Sequence, residues 1–303
     1  MTASGTFRYN TGVQPSAVHG SLFTVNRETL NWICLAALLA TTLEDPVKLM
    51  ISVRDEIEAA AASAGGADII DIKNPAEGSL GAQPPEVIRA ITKAVPATTP
   101  VSASIGDVPN LPGTVALAGL GAAMCGVRFV KVGLLGARTP EEAASLLEAL
   151  SRALRMANGA VALVACAYAD ATLVGSLDPL QLPEAAAPFA EGCLIDTAVK
   201  NGRSLFECLP DAAIALFIQR CHDRGLFSAL AGSLQQGDFT RAKALGADIV
   251  GVRAAACDGG QRGGPLSLEK VKLLKASLTA SPPEYPMSFR TPATPLREPA
   301  ASH

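Results

Sequence analysis

Short aliphatic runs recur along this chain, separated by alanine-rich stretches with helical periodicity. Eight runs read as strands, at 48–52, 67–73, 101–104, 128–133, 161–167, 193–196, 228–231 and 248–253. Helices are predicted over 54–64, 84–94, 140–158, 211–224, 238–245 and 267–276. Glu141 and Glu142 occupy the first turn of the longest, where the helix dipole favours acids. Gly225 and Gly246 end two others. Strands alternating with helices predict a parallel sheet buried on both faces. The strand count is that of a (β/α)8 TIM barrel in a single domain. The alternative is an open doubly wound sheet, but no Gly-x-Gly-x-x-Gly follows a predicted strand.

A weak internal repeat sets the register. Gly66-Ala67-Asp68-Ile69-Ile70-Asp71-Ile72-Lys73 aligns with Gly246-Ala247-Asp248-Ile249-Val250-Gly251-Val252-Arg253. Gly126-Val127-Arg128-Phe129-Val130-Lys131-Val132-Gly133 fits the same frame. Side chains alternate along a strand, so Asp71 and Lys73 share a face. Lys131 takes the slot of Asp71, and Arg253 that of Lys73. If this face points into a barrel, these groups converge near the C-terminal mouth, where TIM-barrel active sites lie.

Two lysines at the ends of apolar strands demand an explanation. A buried ammonium needs a carboxylate, an anionic ligand or a shifted pKa. Lys73 is the expected Schiff-base nucleophile, with Lys131 lowering its pKa by repulsion and then accepting a proton. Asp71 can pair with either ammonium. A purely structural lysine–aspartate pair fits these residues equally well.

Asp196 ends the sixth strand with inward parity and is a candidate proton relay. Lys200 follows on the loop above it, where an ordinary solvated lysine is the competing reading. Gly232 and Ser233 after the seventh strand, with Gly251 and Arg253 at the eighth, lie where barrels commonly bind phosphate. Glycine admits backbone N–H groups to phosphate oxygens, and arginine adds a forked donor. The loop 74–81 can wrap a ligand or form a second phosphate nest. Ser102, Ser104 and Asp107 are weaker candidates.

Composition narrows the partners. The 303 residues carry a net charge of −3, which argues against nucleic acid or an anionic membrane. Hydrophobic residues make up 49% but aromatics only 4%, so the core is aliphatic. The seven cysteines contain no Cys-x-x-Cys pair and read as buried free thiols in a reducing, cytoplasmic setting. His19, His222 and His303 lie away from predicted strand ends, so no metal site is expected. The apolar run 33–40 is too short to span a bilayer, which takes roughly 20 residues. Residues 1–45 read as an N-terminal extension, poorly ordered or a short helix. The barrel is expected over 46–280, with a disordered tail over 281–303.

Several strings resemble one family. Gly65 through Pro75, with Glu77-Gly78-Ser79-Leu80-Gly81, is similar to the (5-formylfuran-3-yl)methyl phosphate synthase family. So are Ser104-Ile105-Gly106-Asp107-Val108-Pro109, Pro112-Gly113-Thr114, Lys131-Val132-Gly133-Leu134 and Asp196-Thr197. The likeness runs from about Lys48 to about Lys275. It implies a TIM-barrel lyase that joins two molecules of glyceraldehyde 3-phosphate into 4-(hydroxymethyl)-2-furancarboxaldehyde phosphate, a precursor of methanofuran-type carriers. It also implies Lys73 as the Schiff-base lysine and Lys131 as proton acceptor, with Asp196 and Lys200 assisting. Two phosphate subsites are then required, and no cofactor. The expected partners are a small phosphosugar and further copies of the same chain. Two other functions remain open at this point: a simple class I aldolase or isomerase, and a non-catalytic phosphosugar-binding barrel.

Overall fold

The computed structural model describes residues 46–157 and 161–279. The expected extension 1–45 and tail 281–303 lie outside these residues, as do the run 33–40, Cys34, His19 and His303. The described residues form a closed barrel of eight parallel strands in sequential order. The strands are β1 (Lys48–Val53), β2 (Ile69–Ile72), β3 (Val101–Asp107), β4 (Phe129–Gly133), β5 (Ala162–Tyr168), β6 (Gly192–Asp196), β7 (Phe227–Leu230) and β8 (Ile249–Val252). The last strand pairs with the first, so no edge is left open.

Ten helices of at least one turn accompany them among the described residues. They are α1 (Glu56–Ala64), α2 (Pro85–Ala94), α3 (Pro112–Ala123), α4 (Pro140–Leu154), α5 (Ala171–Val174), α6 (Leu182–Ala186), α7 (Leu205–Cys208), α8 (Asp211–His222), α9 (Phe239–Ala244) and α10 (Leu268–Thr279). Local chemistry starts several of them. Asp55 caps α1 by accepting from the Glu58 amide, and Thr139 caps α4 by accepting from Glu142. No helix among the described residues is long and apolar enough to cross a membrane.

The pattern missed α3. Its sequence, PGTVALAGLGAA, is rich in glycine and lacks a polar stripe. Intrinsic propensity is poor there, and packing makes the helix. A Cβ at Gly119 would lie 2.0 Å from Leu150 on α4, so glycine permits the close approach of the two helices.

Two aliphatic layers result. Outward strand residues such as Ile51, Ile70, Val130, Ala165, Ile195 and Val250 pack against the helices. Inward residues, among them Met50, Ile69, Val164, Leu194, Ala229 and Ile249, fill the lower barrel. Phe129 and Phe227 close that layer edge to face, with centroids 6.0 Å apart. Toward the C-terminal end the same inward positions turn polar: Ser52, Asp71, Lys73, Ser104, Lys131 and Asp196 are all buried. The alternation expected from the internal repeat therefore holds around the barrel. The six described cysteines are free, five of them buried.

Candidate active site

Strand ends and the loops after them build the mouth. Lys73 follows β2, Asp196 ends β6, and Lys200 sits on the next loop. Lys73 Nζ donates to Asp196 Oδ2 at 3.1 Å, and Lys200 Nζ donates to Oδ1 at 2.6 Å. One carboxylate, 2% exposed, thus lies between two ammoniums. The Thr197 amide donates to Oδ1 as well, and Asp170 fixes the loop by accepting from the Ala198 and Val199 amides. Burial pushes the Asp196 carboxyl upward, but Lys200 and Lys73 together hold it well below the usual range. For Lys73 burial pulls downward, and Asp196 with Asp71 outweighs it, so its pKa is raised. Lys200 goes the other way. Burial, with Lys73 and Arg262 adding repulsion, lowers its pKa despite Asp196.

This corrects one expectation. Lys131 is not an uncompensated cation that holds the Lys73 pKa down. Its Nζ lies 2.7 Å from Asp71 Oδ1, with both side chains buried. The ammonium is not well aimed for a hydrogen bond to that oxygen. Opposite charges so close in a dry interior attract strongly at any angle, so the contact is an ion pair. Ser52 Oγ donates to the other Asp71 oxygen at 2.9 Å. The lysine with a lowered pKa is Lys200. Both strand lysines nevertheless point inward, Lys73 being 7% and Lys131 2% exposed.

A cavity of about 200 Å³ opens above this cluster. Lys73, Asp196, Lys200, Gly232, Ser233, Gly251 and Arg253 all line it, as do Ser52, Ser79 and Arg262. Lys131 does not; it lies deeper, beside Phe129, Met50 and Ile249. Gly232 has φ 106°, and a Cβ there would lie 3.0 Å from the Thr197 amide nitrogen. Ser233 has φ 53°, the one positive value at a non-glycine among the described residues. Strain of this kind persists where a turn has a function to serve. The N–H groups of Gly232, Ser233 and Leu234 donate to no acceptor among the described residues. Gly251 has a packing role, since a Cβ there would meet Met50 Cε at 2.6 Å.

Arg253 departs from its expected part as a phosphate donor. Its fork meets the Glu58 carboxylate, with Nη1 to Oε2 at 2.8 Å and Nη2 to Oε1 at 3.2 Å. Nη1 also donates to Ser52 O, Nε to Arg262 O and Nη2 to Gly264 O. The guanidinium is a clamp between β1, α1 and the loop after β8. The loop 74–81 departs as well. Asp107 accepts from the Ser79 amide at 2.6 Å and from the Leu80 amide at 3.1 Å, so these donors are taken. Tyr168 donates its hydroxyl to the same carboxylate. A register shift between Ser104 and Asp107 re-aims that aspartate toward the loop.

Reasoning from sequence overlooked Ser52, Tyr168 and Arg262. Parity along β1 and β5 was the available signal for the first two. Arg262 lies in a glycine-rich segment without periodicity, and nothing local marks it.

Two lysines on one buried carboxylate, beside a turn of open N–H groups, give the mouth of this (β/α)8 barrel the makeup of an enzyme site. The 4-HFC-P synthase family profile matches residues 49–275, and the chain belongs to that family. It is 50% identical over 216 residues to the (5-formylfuran-3-yl)methyl phosphate synthase of Methanopyrus kandleri, covering 71% of this chain and 91% of that protein. The enzyme of that name from Methanocaldococcus jannaschii is 45% identical over 231 residues, covering 75% and 97%. Among solved structures, a 3-hexulose-6-phosphate synthase superposes with a TM-score of 0.53 at 19% identity, covering 76% of this chain and 99% of that one. Phosphoribosyl anthranilate isomerase from Thermus thermophilus gives 0.50 at 20% identity, covering 77% and 98%. These two structures establish the barrel fold alone.

Proposed function

We propose that this chain condenses two molecules of glyceraldehyde 3-phosphate into 4-(hydroxymethyl)-2-furancarboxaldehyde phosphate, releasing one phosphate and two waters. The observation that supports this reading is the sharing of one buried carboxylate, Asp196, by Lys73 and Lys200 at the floor of the cavity. Lys73 rests as an ammonium and must lose a proton before it can attack an aldehyde. Lys200 touches the other oxygen of the same carboxylate, and burial lowers its pKa, so it gives up its own proton more readily than Lys73 and, once neutral, is the natural receiver. The Lys73 amine then adds to the substrate carbonyl and loses water, giving an iminium. That iminium draws electrons from the adjacent C–H, and a base removes the proton to leave an enamine. The enamine carbon bonds to the aldehyde carbon of the second triose phosphate. Elimination of phosphate, ring closure with loss of two waters and hydrolysis from Lys73 complete the furan.

Lys131 does not reach the cavity. Its contact with Asp71, and the Ser52 hydroxyl that donates to Asp71 and lines the cavity, form a path along which a proton reaches the Asp71 carboxylate, and Lys131 serves as acceptor only after its ammonium has given up a proton. The open amides of Gly232, Ser233 and Leu234 suit one phosphate. The other does not fall on Arg253, whose donors are engaged. The product is expected to feed methanofuran-type carrier synthesis, in a cytoplasmic homo-oligomer.

The test is incubation with glyceraldehyde 3-phosphate alone. A furan aldehyde absorbs strongly in the ultraviolet, and its mass is distinct from that of any triose or hexose phosphate. Borohydride added during turnover should leave a reduced adduct on Lys73. An adduct without a furan product would point to an aldolase or isomerase; no adduct at all would end the covalent mechanism.

A further inference from the structure

We propose that Arg262 binds the phosphate of the second triose phosphate, facing Lys200 across the cavity. The inference rests on the two-substrate reading above and supplies the subsite which that reading leaves unassigned. Arg262 lines the cavity with Lys73, Asp196 and Lys200. Among the described residues its side chain makes one hydrogen bond, from Nη2 to Gly78 O at 2.8 Å. A guanidinium has five N–H donors, so most of the fork is open. Among the described residues Arg262 forms no ion pair, unlike Arg253, whose fork is closed on Glu58. A half-buried guanidinium without a carboxylate is costly in the empty protein, and an anion entering the cavity offsets that cost. Burial, with Arg253 adding repulsion, lowers its pKa against the more distant attraction of Asp196 and Asp107, and a guanidinium stays charged near neutral pH.

The loop that carries Arg262 is fastened for this purpose. Three successive carbonyls accept from arginines: Arg262 O from Arg253 Nε at 2.6 Å, Gly263 O from Arg54 Nη1 at 3.0 Å, and Gly264 O from Arg253 Nη2 at 3.4 Å. Both of those arginines are held by Glu58. Lys270 Nζ pins Cys257 O at 2.6 Å, where the segment begins. A donor fork on a preorganised loop loses little entropy when it closes on two phosphate oxygens. The ligand class is a phosphate monoester dianion. Its binding partners are the planar fork of Arg262 and the point charge of Lys200, which lines the same cavity.

The experiment compares the unmodified protein with Arg262→Gln and Arg262→Lys, each given glyceraldehyde 3-phosphate. Glutamine keeps a donor for Gly78 O but removes the charge; lysine keeps the charge but not the fork. Arg262→Gln should raise the half-saturating substrate concentration by about tenfold or more, the usual effect of losing a charged hydrogen-bond donor. Arg262→Lys should fall between. The borohydride adduct on Lys73 should still form in both, because the first substrate molecule keeps its own amide site. Adduct in all three proteins with equal half-saturation would overturn the assignment to Arg262 while leaving the Schiff-base reading intact. Loss of adduct in Arg262→Gln would likewise overturn it, by making the residue part of the first site. If the unmodified protein forms no adduct, the underlying reading fails, and this proposal with it.

Discussion

Lys131 and Asp71 form a one-to-one ion pair in the dry barrel interior, whereas at the mouth Lys73 and Lys200 share the single carboxylate of Asp196. The first system balances its charge and lies away from the cavity wall. The second carries one surplus positive charge, opens to solvent through Lys200, and faces Arg262. A balanced pair has little to gain from an incoming anion. The unbalanced one gains a counter-ion and can redistribute its protons when the anion arrives. Position in the barrel, not residue type, separates a balanced pair from an unbalanced one.

The largest effect expected concerns the nucleophile. Lys73→Ala should abolish both furan formation and the borohydride adduct, whereas Lys131→Met should keep the adduct and slow turnover by about 10²-fold or more. An adduct surviving in Lys73→Ala would erase the functional distinction between the two systems.

Stability should show the opposite ranking. Lys131→Met leaves the Asp71 carboxylate buried without its cation and should cost about 3–5 kcal/mol in urea unfolding. The double change Lys131→Met with Asp71→Leu should recover most of that loss, because both charges go together. Failure of the double variant to recover would mean that the interior needs the pair for more than charge balance.

The pH dependence sharpens the mouth. The folded Asp196 carboxyl titrates below its unfolded value, so its contribution is complete above about pH 4 and is lost as pH falls through the folded pKa. Lys73 is raised, so its contribution is complete below about pH 10 and is lost as pH rises through the folded pKa. Chemical denaturation across pH should therefore give a plateau with two falling limbs, and Asp196→Asn should flatten the acid one. Adduct formation by the free enzyme should accelerate with pH between about pH 7 and pH 9, since the neutral Lys73 amine is scarce there. A plateau near neutrality would mean that the nucleophile is depressed after all.

The smallest effect belongs to Tyr168. Its hydroxyl donates to Asp107, the carboxylate that also accepts from the Ser79 and Leu80 amides. Tyr168→Phe should cost about 1 kcal/mol in unfolding free energy. Hydrogen exchange at the Ser79 and Leu80 amides should quicken, and an unchanged rate there would remove Tyr168 from the support of this loop.

The order of strands, their parity and hence the inward aim of Asp71, Lys73, Lys131 and Asp196 were legible in the sequence, because period-two alternation and helix punctuation are local properties of the chain. Which charge meets which was not. Lys73 pairs with a residue 123 positions away, and Arg253 closes on one 195 positions away. The gap between Asp107 and the loop it anchors is 28 positions. Arginine at the end of β8 and arginine in the following loop look alike as text. Only closure of the barrel, which brought Glu58 beside Arg253 and left the Arg262 fork facing the cavity, decided which is a clamp and which is free to hold an anion. Helix α3 teaches the same lesson, since its glycines disfavour a helix in isolation and permit one only against Leu150.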